Sequence, residues 1–266
     1  MLTSLQNPLV KEIRKLHQGK FRKQQRQFLL EGTHLIQEAL AVDYPILVAC
    51  YTEGWAQRYP DLAQALAQRV GRVEPVSAVV MESLATTVHP DGVVAVAPQR
   101  LANQPPAVTG LGLLVDSLQD PGNLGTIIRT AVAANATGLW LTPTSVAPDH
   151  PKVLRASAGQ WFRLPMGVVE DVNALVQGWR QQGIQLVATH PNARLDYWAV
   201  DFTQPTVFLL GNEGAGLSPD LQNQATLAVS IPMHNQVESL NVAISAALLL
   251  YEANRQRQLS QRQLSS

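Results

Sequence analysis

Leu111-Gly-Leu-Leu-Val-Asp-Ser-Leu-Gln-Asp-Pro-Gly-Asn-Leu-Gly-Thr-Ile-Ile-Arg-Thr-Ala131 holds an apolar run, a turn and an amphipathic repeat in immediate succession. Leu111–Asp116 is apolar without alternation, the pattern of a strand buried on both faces. Asp120-Pro-Gly-Asn123 is a turn, because proline presets φ and glycine is free to take positive φ. Gly125–Ala136 then reads as a helix. At about 100° per residue, Ile127, Ile128, Ala131 and Val132 fall on one stripe, and Asn123 is placed to cap it. The same alternation continues downstream. Leu139–Thr142, Ile184–Thr189, Thr206–Gly211 and Leu227–Pro232 read as strands, and Val172–Gln182 and Leu240–Arg255 as helices. Doubly apolar strands separated by helices predict an α/β fold with a mostly parallel sheet covered on both sides. Ligands of such sheets bind beyond the carboxyl ends of the strands. That rule singles out the loops after Asp116, Leu210 and Pro232.

Upstream, Ala97-Pro-Gln-Arg-Leu-Ala-Asn-Gln-Pro-Pro-Ala107 is rich in proline and lacks periodicity, so it reads as a linker. The expected organisation is an N-terminal domain over 1–98, a linker over 99–109, a larger domain over 110–257 and a polar tail over 258–266. Within the first part, Leu29–Ala41 and Leu62–Val70 are expected helices and Pro45–Tyr51 and Gly92–Ala97 expected strands, which makes a small α/β domain. Thr33 is a possible cap for the first helix, and Gly71 ends the second.

Composition narrows the function classes. Hydrophobic residues make up 46% and charged ones 15% of the 266 residues, which supports a real core and argues against disorder. Twenty Lys+Arg balance twenty Asp+Glu, so a molecule-wide basic field is excluded but a basic patch is not. Residues 1–34 carry such a concentration: Lys11, Arg14, Lys15, Lys20, Arg22, Lys23 and Arg26 against Glu12 and Glu31. On charge alone this is either a solvated helix face or a phosphate-contacting arm. One cysteine, Cys50, excludes an intramolecular disulfide framework and fits a reducing, cytoplasmic compartment. The six histidines show no metal-binding spacing, so no metal is expected. No apolar run approaches the roughly 20 residues of a membrane span, and Met1 to Lys11 lack the apolar stretch of a secretory signal, so none is expected. A P-loop, a Gly-x-Ser-x-Gly elbow and a Gly-x-Gly-x-x-Gly dinucleotide fingerprint are all absent from the sequence.

The three loops carry polar side chains with two readings each. Asn123 is a helix cap or a site residue. Arg129 lies just off the apolar stripe, either as an incidental surface group or as a clamp for an anion, a geometry that lysine does not reproduce. Leu210-Gly-Asn-Glu-Gly-Ala-Gly-Leu-Ser-Pro219 places three glycines and Glu213 after a strand, where a ligand can approach the backbone closely. Ser239 and Asn241 sit at the start of the terminal helix, as caps or as ligand-facing groups. That helix is apolar on nearly every face from Val242 to Leu250, so it needs cover on all sides.

Taken together, Asp120-Pro-Gly-Asn-Leu-Gly-Thr-Ile-Ile-Arg129, Leu210-Gly-Asn-Glu-Gly-Ala-Gly-Leu217 and Ile231-Pro-Met…Ser239-Leu-Asn-Val242 resemble, in order and spacing, the three motifs of the SpoU (TrmH-like) RNA ribose 2′-O-methyltransferases of the SPOUT superfamily. Phe28-Leu-Leu-Glu-Gly-Thr-His-Leu-Ile-Gln-Glu-Ala39 is similar to the substrate-binding domain that often precedes them. The resemblance implies S-adenosylmethionine as cofactor, a trefoil-knotted C-terminal domain, a homodimer built partly on the terminal helix and an L30e-like RNA-binding N-terminal domain. It implies catalytic roles for Asn123, Arg129, Glu213, Ser239 and Asn241. It implies cofactor contacts from Leu210, Gly211, Gly216, Ile231, Met233, Leu240 and Ala243. Against an RNA substrate, the basic residues between Lys11 and Arg26 become candidate phosphate contacts. Ribosomal RNA is favoured over tRNA by the extra N-terminal domain, and a catalytically silent RNA-binding assembly factor is the non-enzymatic alternative.

Overall fold

A computed structural model describes residues 1–99 and 107–264, so most of the expected 99–109 linker lies outside the described residues. Two compact units form, one from residues 1–99 with 147–163 and the other from 107–146 with 164–264.

The first unit begins with helices α1 (Pro8–Lys15) and α2 (Gly19–Gln25), then strand β1 (Gln27–Glu31) and helix α3 (Thr33–Ala41). Strand β2 (Val48–Tyr51), helices α4 (Glu53–Arg58) and α5 (Pro60–Arg69), strand β3 (Val73–Pro75), helix α6 (Ala78–Leu84) and strand β4 (Val93–Pro98) follow. The strands lie in the order β1-β4-β2-β3, with β4 antiparallel to both neighbours and β3 parallel to β2. The expected helix over Leu29–Ala41 is corrected. Phe28, Leu29 and Leu30 are fully buried and pair with β4, which a helix with one solvent face cannot achieve. Gly32 turns the chain between strand and helix at φ 101°, a conformation that glycine alone adopts readily. Thr33 is therefore the first residue of α3 rather than its cap. Its N–H and Oγ1 both donate to Asp91 Oδ2, each at 2.7 Å, so a distant aspartate satisfies the helix start.

The second unit holds strand β5 (Leu111–Val115), helix α7 (Pro121–Ala133) and strand β6 (Gly138–Leu141). After helix α8 (Pro151–Ala156), which belongs to the first unit, come β7 (Met166–Val168), α9 (Val172–Gln181), β8 (Gln185–Thr189), β9 (Leu195–Asp196), β10 (Thr206–Leu210), α10 (Pro219–Gln224), β11 (Leu227–Ser230) and α11 (Val242–Leu264). The seven strands run in the order β7-β6-β5-β10-β8-β11-β9, and every adjacent pair is parallel. The mostly parallel sheet expected from the sequence is thus present. Central β5 and β10 are buried at every position, as a sheet covered on both faces requires. Leu114, Leu186, Val207 and Leu209 pack with Val176 and Trp179 of α9 and Leu221 of α10. Helix α11 packs along α7 and β10.

Helix α11 departs from expectation in its length. It continues through Leu264, past the polar tail placed at 258. It is not buried all round. Ala243, Ala246, Leu249, Leu250 and Ala253 form a buried stripe, while Ile244 and Tyr251 are about half exposed, at 51% and 53%. Among the described residues, no helix is long and apolar enough to cross a membrane, and no group of three or more His, Cys, Asp or Glu side chains is arranged to hold a metal ion.

Residues 147–163 complete the first unit through charge and aromatic packing. Arg22 Nε donates to Asp149 Oδ1 at 3.3 Å, and Arg22 Nη1 donates to the carbonyls of Leu16 and His17, both at 3.1 Å. The Glu31 carboxylate accepts from the N–H and hydroxyl groups of Thr86 and Thr87 and from Arg155. Burial alone raises its pKa, but these bonds outweigh burial and bring it below the ordinary carboxylate value. Trp161 stands 5.0 Å from Phe28 and 5.8 Å from Tyr44, ring centre to ring centre. The Arg22–Asp149 pair is 4% and 6% exposed at the side chains, so removing one partner strands a buried charge. Arg22→Met should therefore destabilise the folded chain by about 3–5 kcal/mol, read from the urea midpoint. A loss under about 1 kcal/mol would show that Asp149 does not depend on this pair.

Candidate active site

The parallel register of the second unit brings three loops to one end of the sheet. Leu210 pairs with Val115, and the N–H of Asp116 donates to the Leu210 carbonyl at 2.8 Å. The first two loops therefore leave adjacent strands side by side. The first enters α7. Asp120 caps that helix: its Oδ1 accepts from Gly122 N at 2.6 Å and Asn123 N at 2.9 Å. The capping role read for Asn123 is thus corrected. Pro121 at the first helical position has no N–H to satisfy, so the aspartate before it reaches the next two. Capping by Asp120 leaves the side chain of Asn123 available.

Asn123 joins the other two loops. Its Nδ2 donates to Glu213 Oε1 at 3.0 Å, and its Oδ1 accepts from Asn241 Nδ2 at 2.9 Å. Asn241 Oδ1 in turn accepts from the N–H groups of Ala243 at 2.9 Å and Ile244 at 3.4 Å, which caps α11. The order of donors is forced. A carboxylate only accepts, so Asn123 must present its amide nitrogen to Glu213 and its oxygen to Asn241. Asn241 then presents its own oxygen to the helix. Glu213 further accepts from the backbone N–H of Gln119 at 3.2 Å and of Asp120 at 3.0 Å. Partial burial raises its pKa, yet the bonds from Asn123, from Asp120, from its own N–H and from Gln119 together bring it below the ordinary value.

The second and third loops enclose a cavity of about 540 Å³. Leu210, Gly211, Gly216, Ile231, Met233 and Leu240 line it, as do Glu213, Ser239 and Asn241. Gly211 is indispensable to its shape. A Cβ there would lie 2.1 Å from the carbonyl carbon of Gly216 and 2.1 Å from Leu217 N. The loop doubles back on itself at that point, with Asn212 and Gly216 bonded through both backbone groups at 2.9 Å. Asn212, unmarked by the sequence reading, holds this turn by accepting from Gly214 N and Ala215 N and by donating to the Ser117 carbonyl.

Three expectations land elsewhere. Ala243 is not part of the lining; it is 3% exposed, in the buried stripe of α11. Arg129 is exposed on α7, outside the lining, and its side chain has no hydrogen-bond or ion-pair partner among the described residues. Arg22 is 3% exposed and spent on Asp149 and two carbonyls, so it is removed from the phosphate-contacting set. Lys11, Arg14, Lys20, Lys23 and Arg26 are exposed, and Lys15 is half-buried beside Glu12 at 2.6 Å. The cavity also includes Thr189 at the end of β8 and His190 and Pro191 beyond it. The strand-end rule applies to that loop too, but no glycine run or polar pair marks it in the sequence.

Residues 110–251 match the SpoU rRNA Methylase family. The chain belongs to that family. Residues 7–95 match the MRM3-like substrate binding domain. A Synechocystis sp. protein described as an uncharacterized tRNA/rRNA methyltransferase is 47% identical over 257 residues, covering 96% of this chain and 94% of its own. A 23S rRNA (guanosine(2553)-2′-O)-methyltransferase of Bacillus subtilis is 32% identical over 253 residues, covering 94% of this chain and 97% of its own. Among solved structures, the AdoMet-bound rRNA methyltransferase from Sinorhizobium meliloti superposes with a TM-score of 0.85 at 35% identity, covering 96% of this chain and 97% of that one.

The bonds to Glu213 set the sign of a pH effect. Its folded pKa lies below the ordinary 4.5, so the clasp between the loops is complete above that value and opens as pH falls through the lower folded value. The Glu213 carboxyl, followed by NMR, should titrate below 4.5. A midpoint above 4.5 would mean that the clasp does not form in solution.

Proposed function

We propose that this chain transfers the methyl group of S-adenosylmethionine to a ribose 2′-hydroxyl of ribosomal RNA. The Asn241–Asn123–Glu213 hydrogen-bond chain carries this reading, because it ties the three family motifs to the rim of one cavity. Support for the substrate comes from the Bacillus subtilis relative, named for 2′-O-methylation of 23S rRNA. Support for the cofactor comes from the AdoMet-bound Sinorhizobium meliloti structure.

The cavity suits that cofactor on its own terms. Leu210, Ile231, Met233 and Leu240 give apolar walls for an adenine, and the doubled-back Gly211–Leu217 turn exposes backbone to a ligand without a side chain in the way. Its volume falls within the range of about 300–1,000 Å³ usual for small-molecule sites. Glu213 and Glu238 are the acidic groups of the lining, and neither lysine nor arginine is part of it, which favours a cationic ligand.

When bound, S-adenosylmethionine supplies a methyl carbon already activated on a sulfonium. The chain has to align the acceptor oxygen with that carbon and ease the loss of one proton from it. The Glu213 carboxylate accepts from Asn123 Nδ2 and from the N–H groups of Gln119 and Asp120, so its part is to fix the loops. Arginine side chains act as fixed cations rather than as proton acceptors, which sets the role of Arg129. Its guanidinium clamps a substrate phosphate and lowers the cost of negative charge on the 2′-oxygen, a form of electrostatic preorganisation. Ser239, exposed on the cavity wall, is placed to hold substrate or cofactor through its hydroxyl.

The remaining parts follow from family membership and surface chemistry. The exposed side of α11, with Ile244 and Tyr251, is the face that a second copy covers in a homodimer. The C-terminal unit carries the trefoil knot of its superfamily, and the N-terminal unit, of L30e-like type, meets RNA through Lys11, Arg14, Lys15, Lys20, Lys23 and Arg26.

Ribose-methylation mapping of ribosomal RNA from cells with and without the protein should show one site lost; an unchanged map would remove the reading. Arg129→Ala should abolish most turnover on that RNA while leaving the cofactor dissociation constant nearly unchanged by calorimetry. Near-normal turnover would withdraw the phosphate clamp. If four or so of the six basic groups meet phosphates, the log–log salt slope of RNA binding should be about −3, at roughly −0.7 per contact for single strands. A flat salt dependence would count against the arm.

A further inference from the structure

Five tryptophans occur in the chain. Trp55, Trp140, Trp161 and Trp179 are 0–4% exposed, whereas Trp198 is 55% exposed. A scattered apolar side chain on a surface needs no explanation by itself. Three further observations set Trp198 apart.

The first is its place. Thr189, His190 and Pro191 line the cavity, and Trp198 follows on the same short segment. Strand β9 pairs in parallel with the last two residues of β11, Val229 with Leu195 and Ser230 with Asp196. Trp198 therefore stands just past the carboxyl-terminal edge of the sheet, the edge at which the cavity opens.

The second is that its backbone is fixed on both sides. Ser230 Oγ donates to Asp196 Oδ1 at 3.1 Å, and His190 N donates to the Val229 carbonyl at 2.9 Å. Downstream, Phe202 N donates to Gln256 Oε1 at 2.8 Å, and Gln256 Nε2 donates to the Val200 carbonyl at 2.9 Å. Val200 and Phe202 are buried. The chain thus anchors both flanks and still presents the indole to solvent.

The third is its company. The Tyr197 ring lies 5.2 Å from it, tilted by 49°. Adjacent aromatic rings form the usual surface on which unpaired bases stack, and the identity of the base matters little to it.

We infer that Trp198, supported by Tyr197, is a stacking platform for an unpaired nucleobase flanking the ribose that enters the cavity. The inference rests on the reading of the chain as an RNA methyltransferase. An acceptor ribose has to be held still against the cofactor, and a splayed neighbouring base offers the largest flat surface by which to hold it. The cavity lining includes no phenylalanine, tyrosine or tryptophan, so the platform supplies a stacking surface that the lining lacks.

The burial of the other four tryptophans makes the test direct, because iodide reaches Trp198 selectively in the full-length protein. Unmodified ribosomal RNA transcribed in vitro should shield that fluorescence from iodide, and Trp198→Ala should abolish the iodide-sensitive fraction. Trp198→Ala should also weaken RNA binding by about fivefold to 140-fold, the range of one base stack, and raise KM for RNA. The cofactor dissociation constant should not change, and Trp198→Phe should restore most of the RNA affinity. Unshielded Trp198 in the RNA complex, or unchanged RNA affinity in Trp198→Ala, overturns the platform. So does iodide protection before RNA is added, if Trp198→Ala then converts a dimer to monomers, since a second copy of the chain would occupy the surface. Wild-type protein that binds neither S-adenosylmethionine nor RNA would sink the methyltransferase reading itself, a result distinct from any of these.

Discussion

The site depends on a hydrogen-bond chain with only one possible direction. It starts at the N–H groups that open α11, passes through Asn241 and Asn123 and ends on the Glu213 carboxylate. Each amide both donates and accepts, so neither asparagine can flip without stranding a neighbour. Three loops that leave three different strands are thereby fixed relative to one another. The donors at the start belong to a helix N-terminus, which carries partial positive charge, and the acceptor at the end is an anion. The electrostatics of the two ends agree with the direction of the bonds between them.

The Glu213 carboxylate, on the cavity wall, accepts from Asn123 and from the N–H groups of Gln119 and Asp120, and so ties the second loop to the first. Gly211 plays a comparable part through what it lacks, since any side chain there would collide with the returning strand of its own loop. The Arg129 side chain, in contrast, has no partner among the described residues.

Much of this was legible in the sequence, for identifiable reasons. Parallel strands buried on both faces leave long apolar runs, so five of the seven strands could be read from the sequence, while the short edge strands β7 and β9 could not, and the strand-end rule pointed to the edge where the cavity lies. The spacing of Asn123, Glu213 and Asn241 matched a family pattern that then closed in space. What was missed has physical causes too. Phe28-Leu29-Leu30 satisfies helical and strand periodicity equally, and only pairing with β4 decides between them. Arg22 looks like its basic neighbours, because nothing local shows that Asp149, 127 residues away, will neutralise it. Asp120 took the cap expected of Asn123 because proline at the first helical position moves the capping residue back. The loop beyond β8 carried no local mark, since its role comes from where the sheet ends.

Residues 147–163 have a bearing on how the protein is made. A ribosome delivers chain in order, and the N-terminal part of a protein ordinarily folds before the rest has emerged. Here the first unit cannot finish early. Arg22 waits for Asp149, and Phe28 and Tyr44 wait for Trp161. Until residue 163 clears the exit tunnel, the nascent unit carries an uncompensated internal charge and an open aromatic surface, while β5, α7 and β6 of the second unit are already synthesised. The two units are consecutive in name but interleaved in time, and a gene cut between them would yield an N-terminal half with its keystone missing.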